Sequence, residues 1–107
     1  MFAWIYLSAA ITSEVVGTVF LRYTEGFTRP APSLLVIATY AVSLWLTALA
    51  LRQLEISLAY AVWSGIGTAA VAVIGMAAMG ETVNALKLAS IVLVIGGVVG
   101  LNLSGAN

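Results

Sequence analysis

Short groups of polar and charged residues separate four long apolar runs along the chain. These groups cover Arg22 to Pro32, Arg52 to Glu55 and Glu81 to Lys87. Each apolar run has about the 20 residues that a helix needs to cross about 30 Å of hydrocarbon. Unbroken apolar runs favour helices over the alternating strands of a membrane barrel. We therefore predict an all-α membrane protein with a single domain over residues 1–107, whose four spans cover about 3–21, 33–51, 56–79 and 85–103.

The composition supports a membrane protein and excludes most functions of soluble proteins. Hydrophobic residues make up 63% of the chain and charged residues 7%, against about 25% charged residues in soluble domains. The chain has no cysteine, no histidine and no net charge, so we expect no metal site, no cofactor and no nucleic-acid partner. Membrane lipid is the expected surrounding, and a transporter is expected rather than an enzyme.

The basic residues of the loops bear on the orientation in the membrane. Loops 1 and 3 lie on one side and carry Arg22, Arg29 and Lys87, whereas loop 2 and the termini carry only Arg52. Orientation follows the lysine and arginine difference between the two sides, and a difference this small fixes it weakly. Insertion in both orientations and a single topology with loops 1 and 3 in the cytoplasm therefore both stay open.

Glu14 is the one charged residue deep inside a predicted span, near the middle of span 1, whereas Lys87 lies at the start of span 4, within reach of the headgroups. A charge at that depth costs on the order of 2.5 to 3.5 kcal/mol, and such residues usually face a cavity on an ion or proton path. No lysine, arginine or histidine lies at a comparable depth, so a proton or a bound cation must balance the carboxylate. Competition between the two at one site is sufficient for antiport driven by a proton gradient. The alternative is a protonated, hydrogen-bonded structural glutamate.

Residues three or four apart on a helix share a face, and this spacing indicates what surrounds Glu14. Span 1 supplies small residues, and spans 2 and 3 supply hydroxyls and rings. Aromatic faces attract organic cations by roughly 0.5 to 2 kcal/mol, so rings beside one carboxylate suit a hydrophobic or quaternary cation. Ordinary packing is the alternative for each ring alone. The candidate substrate-binding residues are Ala10, Gly17, Thr18, Tyr40, Ser43, Tyr60 and Trp63.

Glycines in spans 3 and 4 suggest flexibility and helix association. Gly65 and Gly67 would permit a kink in span 3, although close helix packing explains them equally well. Gly96 and Gly100 form a small-residue motif that favours association of span 4 with another helix. One Glu14 among four helices does not readily enclose a path, so we expect at least a dimer. Two copies inserted in opposite senses would recreate the inverted repeats of larger transporters.

Four motifs of the chain together resemble the small multidrug resistance family, and most resemble its quaternary-ammonium branch. The resemblance covers essentially the whole chain and implies an antiparallel, dual-topology homodimer. It also implies a multi-pass protein of the bacterial inner membrane that exports aromatic or quaternary cations in exchange for protons. The motifs are Glu14 to Thr18, Glu25 to Arg29, Ala59 to Gly67, and Asn102 with Leu103.

The resemblance also implies roles for individual residues. Gly17 stands where the guanidinium-exporting branch tends to carry tryptophan, which favours the multidrug branch. Two other readings stay open: an exporter of guanidinium-type metabolites, and a noncatalytic small membrane subunit of an unequal pair. The implied roles are the essential acid for Glu14, substrate-lining aromatics for Tyr40, Tyr60 and Trp63, the kink for Gly65 to Gly67, and the dimer contact for Gly97 and for Ser90, where the family usually has glycine.

Overall fold

The computed structural model describes residues 2–104 and contains four long helices. All four are long and apolar enough to cross a membrane. No strand occurs among the described residues, which confirms the predicted all-α membrane fold. The helices are α1 (Phe2–Leu21), α2 (Pro30–Ala50), α3 (Ile56–Ala78) and α4 (Ala85–Leu103), and a short 3-10 turn over Arg22–Thr24 follows α1.

The ends of the helices follow from local chemistry. Helix α2 begins at Pro30 rather than at the predicted Ser33, because proline fits the first turn of a helix, where its missing N–H is not needed. Gly80 has a φ of 71° shortly after α3 ends, a conformation that glycine adopts without strain. The Asn84 side chain then accepts a hydrogen bond of 2.8 Å from the Lys87 backbone N–H and caps the start of α4.

Helices α1 and α2 are joined by hydrogen bonds between polar groups inside the apolar spans. Lipid offers these groups no alternative partner, so each bond satisfies a donor that would otherwise be costly to bury. The Ser13 hydroxyl donates to the Thr39 carbonyl at 2.7 Å, the Ser43 hydroxyl donates to the Ala10 carbonyl at 2.7 Å, and the Thr18 and Tyr40 hydroxyls share a third bond.

Gly17 allows α1 and α2 to approach this closely. A Cβ at this position would overlap the Thr39 hydroxyl and the Tyr40 ring. Small residues have this effect at helix contacts in membranes, where close packing replaces the hydrophobic effect as the source of association. Gly17 therefore fixes the spacing of the helix pair that carries the acid.

Helix α3 packs against α1, whereas α4 lies at the edge of the chain. Among the described helices, α4 contacts α3 alone, and none of its residues is buried. Buried apolar residues join α1 and α3 to the end of α2 and to the loop that follows it. This core consists of Ala3, Leu7, Ala50, Leu54, Leu58, Ala59 and Val62. The well-packed part of the chain thus surrounds α1 and leaves α4 largely uncovered.

Candidate cation site

The carboxylate of Glu14 lies between α1 and α3, beside the side chain of Thr18. Its Oε2 atom is buried and has no hydrogen-bond partner among the described residues. A Cβ at Gly67 would overlap this oxygen, so the glycine provides the space that the carboxylate occupies. The ion pairs found in the described part of the chain join Glu25 to Arg29 and Glu81 to Lys87, and neither includes Glu14. The site therefore holds a carboxylate whose counter-charge does not come from a neighbouring side chain.

One cavity beside Glu14 is lined by aromatic rings, and we call it the aromatic cavity. Its volume is about 290 Å³, and its lining is Glu14, Tyr40, Ser43, Leu44 and Trp63. The Trp63 indole N–H donates to Ser43 Oγ at 3.0 Å, and the hydroxyl of Ser43 is itself the donor to α1. The polar atoms of the wall are thus paired with one another, which leaves ring faces and one carboxylate for a ligand.

A second cavity, which we call the loop-3 groove, extends from Glu14 towards the loop between α3 and α4. Its volume is also about 290 Å³. Glu14 lines both cavities, so this residue lies where the two cavities meet. The residues that line the loop-3 groove are Glu14, Thr18, Gly67, Thr68, Val71, Ala72, Glu81 and Lys87.

The structure places most of the candidate substrate-binding residues at these cavities. Thr18 lines the loop-3 groove, whereas Tyr40, Ser43 and Trp63 line the aromatic cavity. Because Glu14 belongs to both, four of the seven residues lie on cavities that share the acid. These contacts position the residues for binding a cation and do not by themselves test that role.

The other three candidates lie outside both cavities. Ala10 is fully buried and contributes its carbonyl to the bond with Ser43, and Gly17 packs against α2 as described above. Tyr60 is 61% exposed, although its ring centroid lies 5.8 Å from that of Trp63. In a single chain Tyr60 therefore faces outward. Helical spacing correctly placed its ring beside that of Trp63, but Tyr60 does not reach the cavity that contains Glu14.

The glycines of α3 serve as contact points in this structure. Helix α3 continues through both without interruption. A Cβ at Gly65 would meet Val98 of α4, whereas one at Gly67 would meet Glu14. The close-packing explanation thus has a specific partner at each glycine, and the kink stays a prediction. Ser90 and Gly97 are exposed on α4, so their dimer contact stays a prediction as well.

Sequence reasoning missed part of the lining. Leu44 gives no signal, because one leucine in an apolar span resembles any other. A signal does exist along α3, where Gly67, Val71 and Gly75 are four residues apart and share a face. Glu81 and Lys87 are interpreted from sequence as solvated loop charges, but the structure places both at the groove. The described residues contain no group of three or more metal-ligating side chains.

Comparison with known proteins identifies the family. The family model described as Small Multidrug Resistance protein matches residues 2–94. The chain belongs to the Small Multidrug Resistance family. Membership confirms the resemblance seen in the sequence motifs. It makes the chain a membrane transporter rather than an enzyme, and a multi-pass protein of the bacterial inner membrane.

Three relatives show which proteins this member of the Small Multidrug Resistance family is similar to in sequence. The chain is 50% identical, over 95% of its length, to the nicotine metabolites export pump subunit NepB of Paenarthrobacter nicotinovorans. It spans only 61% of the length of NepB. It is 46% identical over 94% of its length to the uncharacterized membrane protein YvaE of Bacillus subtilis, of which it spans 84%. It is 43% identical over 95% of its length to the guanidinium exporter of Escherichia coli K12, of which it spans 97%.

Proposed function

We propose that this chain exports an organic cation in exchange for protons, with both competing for Glu14. The observation that carries the proposal is the buried Oε2 atom, which lacks a partner where two cavities meet. A carboxylate at this depth must be neutralised by a proton or by a mobile cation. Protons displace the cation on the acidic side and the cation displaces protons on the other, so the gradient drives export.

The lining of the aromatic cavity favours a hydrophobic aromatic or quaternary cation. Such a cation gains from ring faces and needs no hydrogen-bond acceptor beyond the carboxylate. The hydroxyl of Ser43 already donates to α1 and accepts from Trp63, and the hydroxyls of Thr18 and Tyr40 are paired. A ligand rich in N–H groups would bury several of them without partners, which is costly in a dry site.

Guanidinium-type cations are the second candidate. Two observations favour them: a relative 43% identical to this chain is named a guanidinium exporter, and a planar guanidinium group matches a carboxylate with two parallel hydrogen bonds. An aromatic or alkyl substituent would reduce the number of N–H groups left unpaired. A third possibility, a subunit of an unequal pair, is favoured by the word subunit in the name of NepB.

Trp63→Ala should separate the two substrate classes. We expect the variant to bind tetraphenylphosphonium about tenfold more weakly, since an aromatic face contributes roughly 0.5 to 2 kcal/mol to cation binding. Binding of phenylguanidinium should weaken less, because its main contact is with the carboxylate. The measurement is the uptake of each cation into liposomes that contain the chain alone and carry a pH gradient.

Trp45→Ala is the matched control for this experiment. Trp45 is 62% exposed and lines neither cavity that includes Glu14, so its loss should leave the uptake of both cations unchanged. Equal losses for the two cations in Trp63→Ala would contradict an aromatic cage. A wild-type chain that takes up neither cation would instead favour the subunit role.

We also propose that two copies assemble as an antiparallel homodimer. Support comes from α4, which has no buried residue and exposes Ser90 and Gly97, and from the small charge bias of the loops. The chain has no cysteine, so a single Thr28→Cys substitution labels loop 1 uniquely. An impermeant thiol reagent added to intact cells should then modify about half of the copies. Complete labelling or complete protection would contradict dual topology.

A further inference from the structure

One face of α3 connects two carboxylates. Gly67, Val71 and Gly75 repeat every four residues, so they form a stripe that extends for about 12 Å along the helix. A Cβ at Gly67 would overlap the carboxylate of Glu14, and a Cβ at Gly75 would overlap that of Glu81. A glycine thus makes room for an acid at each end of the stripe. The loop-3 groove follows the same face and includes both acids.

Glu81 is held in place by its backbone rather than by its side chain. Its N–H donates to the Gly75 carbonyl at 3.1 Å, which folds loop 3 back over the end of α3. The Glu81 carboxylate is 3.8 Å from the Lys87 ammonium, which also donates to the Thr82 carbonyl at 3.2 Å. Charge-assisted hydrogen bonds are about 2.7 to 2.9 Å long, so the ammonium is held loosely.

Both members of this pair reach solvent. The side chain of Glu81 is 47% exposed and that of Lys87 is 32% exposed. An exposed pair at this distance contributes little to stability, and solvent can replace either member. The Glu81 carboxylate is therefore an anion whose present partner is displaceable, and it faces the same cavity as Glu14.

We propose that Glu81 is a second cation-binding carboxylate at the solvent end of the loop-3 groove, occupied by the Lys87 ammonium when no organic cation is bound. This inference rests on the proposed function, because the cation concerned is the one that reaches Glu14. An organic cation displaces Lys87 from Glu81 and then moves along the stripe to the deeper acid. Thr68, Val71 and Ala72 form the intervening wall, so the cation loses water between two anions.

The proposal assigns opposite effects to the two members of the pair. Removing the charge of Glu81 removes an attraction at the mouth of the groove, whereas removing the charge of Lys87 removes a competitor. Charges at the mouth of a cleft act mainly on the rate of association, and this effect decreases with salt. A purely structural ion pair would instead respond in the same direction to the loss of either member.

The test is stopped-flow association of tetraphenylphosphonium with the full chain in lipid nanodiscs. At low salt, Glu81→Gln should lower the association rate constant about fivefold, and Lys87→Gln should raise it about twofold. Both differences should shrink at about 0.5 M salt. Glu25→Gln is the matched control, because Glu25 is an exposed loop carboxylate with its own partner, Arg29 at 3.6 Å, and lines neither cavity.

The outcomes separate this inference from the proposed function. If Glu81→Gln and Glu25→Gln give the same rate constant, or if Lys87→Gln slows association as Glu81→Gln does, the second site does not exist. Wild-type protein that binds neither tetraphenylphosphonium nor phenylguanidinium, or Glu14→Gln that binds as tightly as wild type, overturns the proposed function and this inference with it. Opposite shifts in the two variants, with Glu25→Gln unchanged, support Glu81 as the outer site.

Discussion

Glu14→Gln should reduce pH-driven cation uptake to the level of empty liposomes while the protein still folds. Glutamine has the shape of glutamate but neither binds nor releases a proton, so a proton and a cation cannot compete for it. Since Oε2 has no hydrogen-bond partner to lose, the substitution removes the charge without breaking a bond at this oxygen. Proton release on addition of tetraphenylphosphonium to the detergent-solubilised, weakly buffered protein is the direct measurement, and it should disappear.

Glu14→Asp and Glu25→Gln are the controls for this result. Aspartate keeps the carboxylate and withdraws it by one methylene, so some proton release should remain with weaker cation binding. Glu25→Gln removes a carboxylate from loop 1 and should release protons as the wild type does. Uptake that persists in Glu14→Gln would show that protons and cations do not compete at this carboxylate, and the single-site mechanism would be wrong.

Gly67→Ala should weaken cation binding at least tenfold without unfolding the protein. The added methyl group would overlap Glu14 Oε2, and the far end of the glutamate side chain moves more easily than the backbone of either helix. The flexible end of the carboxylate must therefore rotate out of its position between the two cavities. Alanine also favours a helix over glycine by about 1 kcal/mol, which protects folding. Titration with tetraphenylphosphonium, with helicity measured in parallel, would show both effects.

Gly65→Ala distinguishes space from flexibility as the reason for the glycines. Gly65 lies two residues before Gly67, on nearly the opposite face of α3, and approaches Val98 rather than Glu14. A second substitution, Val98→Ala, removes the atoms that the new methyl group would meet. If α3 must bend during transport, this double variant should lose as much activity as Gly67→Ala. If the glycine only makes room for the acid, the double variant should bind cations normally.

The sequence predicts the helices well because every loop between them contains charged residues, whereas the helices contain only Glu14 and, in the first turn of α4, Lys87. It predicts the rotation of the helices poorly. In a membrane, apolar side chains cover both the packed face and the lipid face, so hydrophobicity does not distinguish them. Gly17 illustrates the difficulty, since it lies one turn from Glu14 yet packs against α2. Tyr60 and Trp63 are also one turn apart, and only Trp63 lines the aromatic cavity.

Polar residues were the better guide to the site. Ser43 and Trp63 need hydrogen-bond partners inside the bilayer, and they satisfy each other at 3.0 Å beside the acid. The outer carboxylate could not be found in this way, because a glutamate in a polar loop is satisfied by water wherever it points. Its position depends on the backbone bond between Glu81 and Gly75, which no side-chain pattern reveals.

The hydrogen bonds between α1 and α2 also bear on how the chain enters the bilayer. A serine or threonine hydroxyl can donate to a carbonyl of its own helix, but a tyrosine hydroxyl cannot, so α2 entering lipid alone would carry the Tyr40 hydroxyl unpaired or with bound water. Here the hydroxyls of Ser13 and Ser43 find carbonyls of the opposite helix, and those of Thr18 and Tyr40 find each other. A hairpin of the first two helices can therefore partition as one unit, with Glu14 as its main remaining polar cost. Biogenesis and transport thus place opposite demands on the same helix pair, since Glu14 hinders insertion and is also the residue that we propose binds the cation.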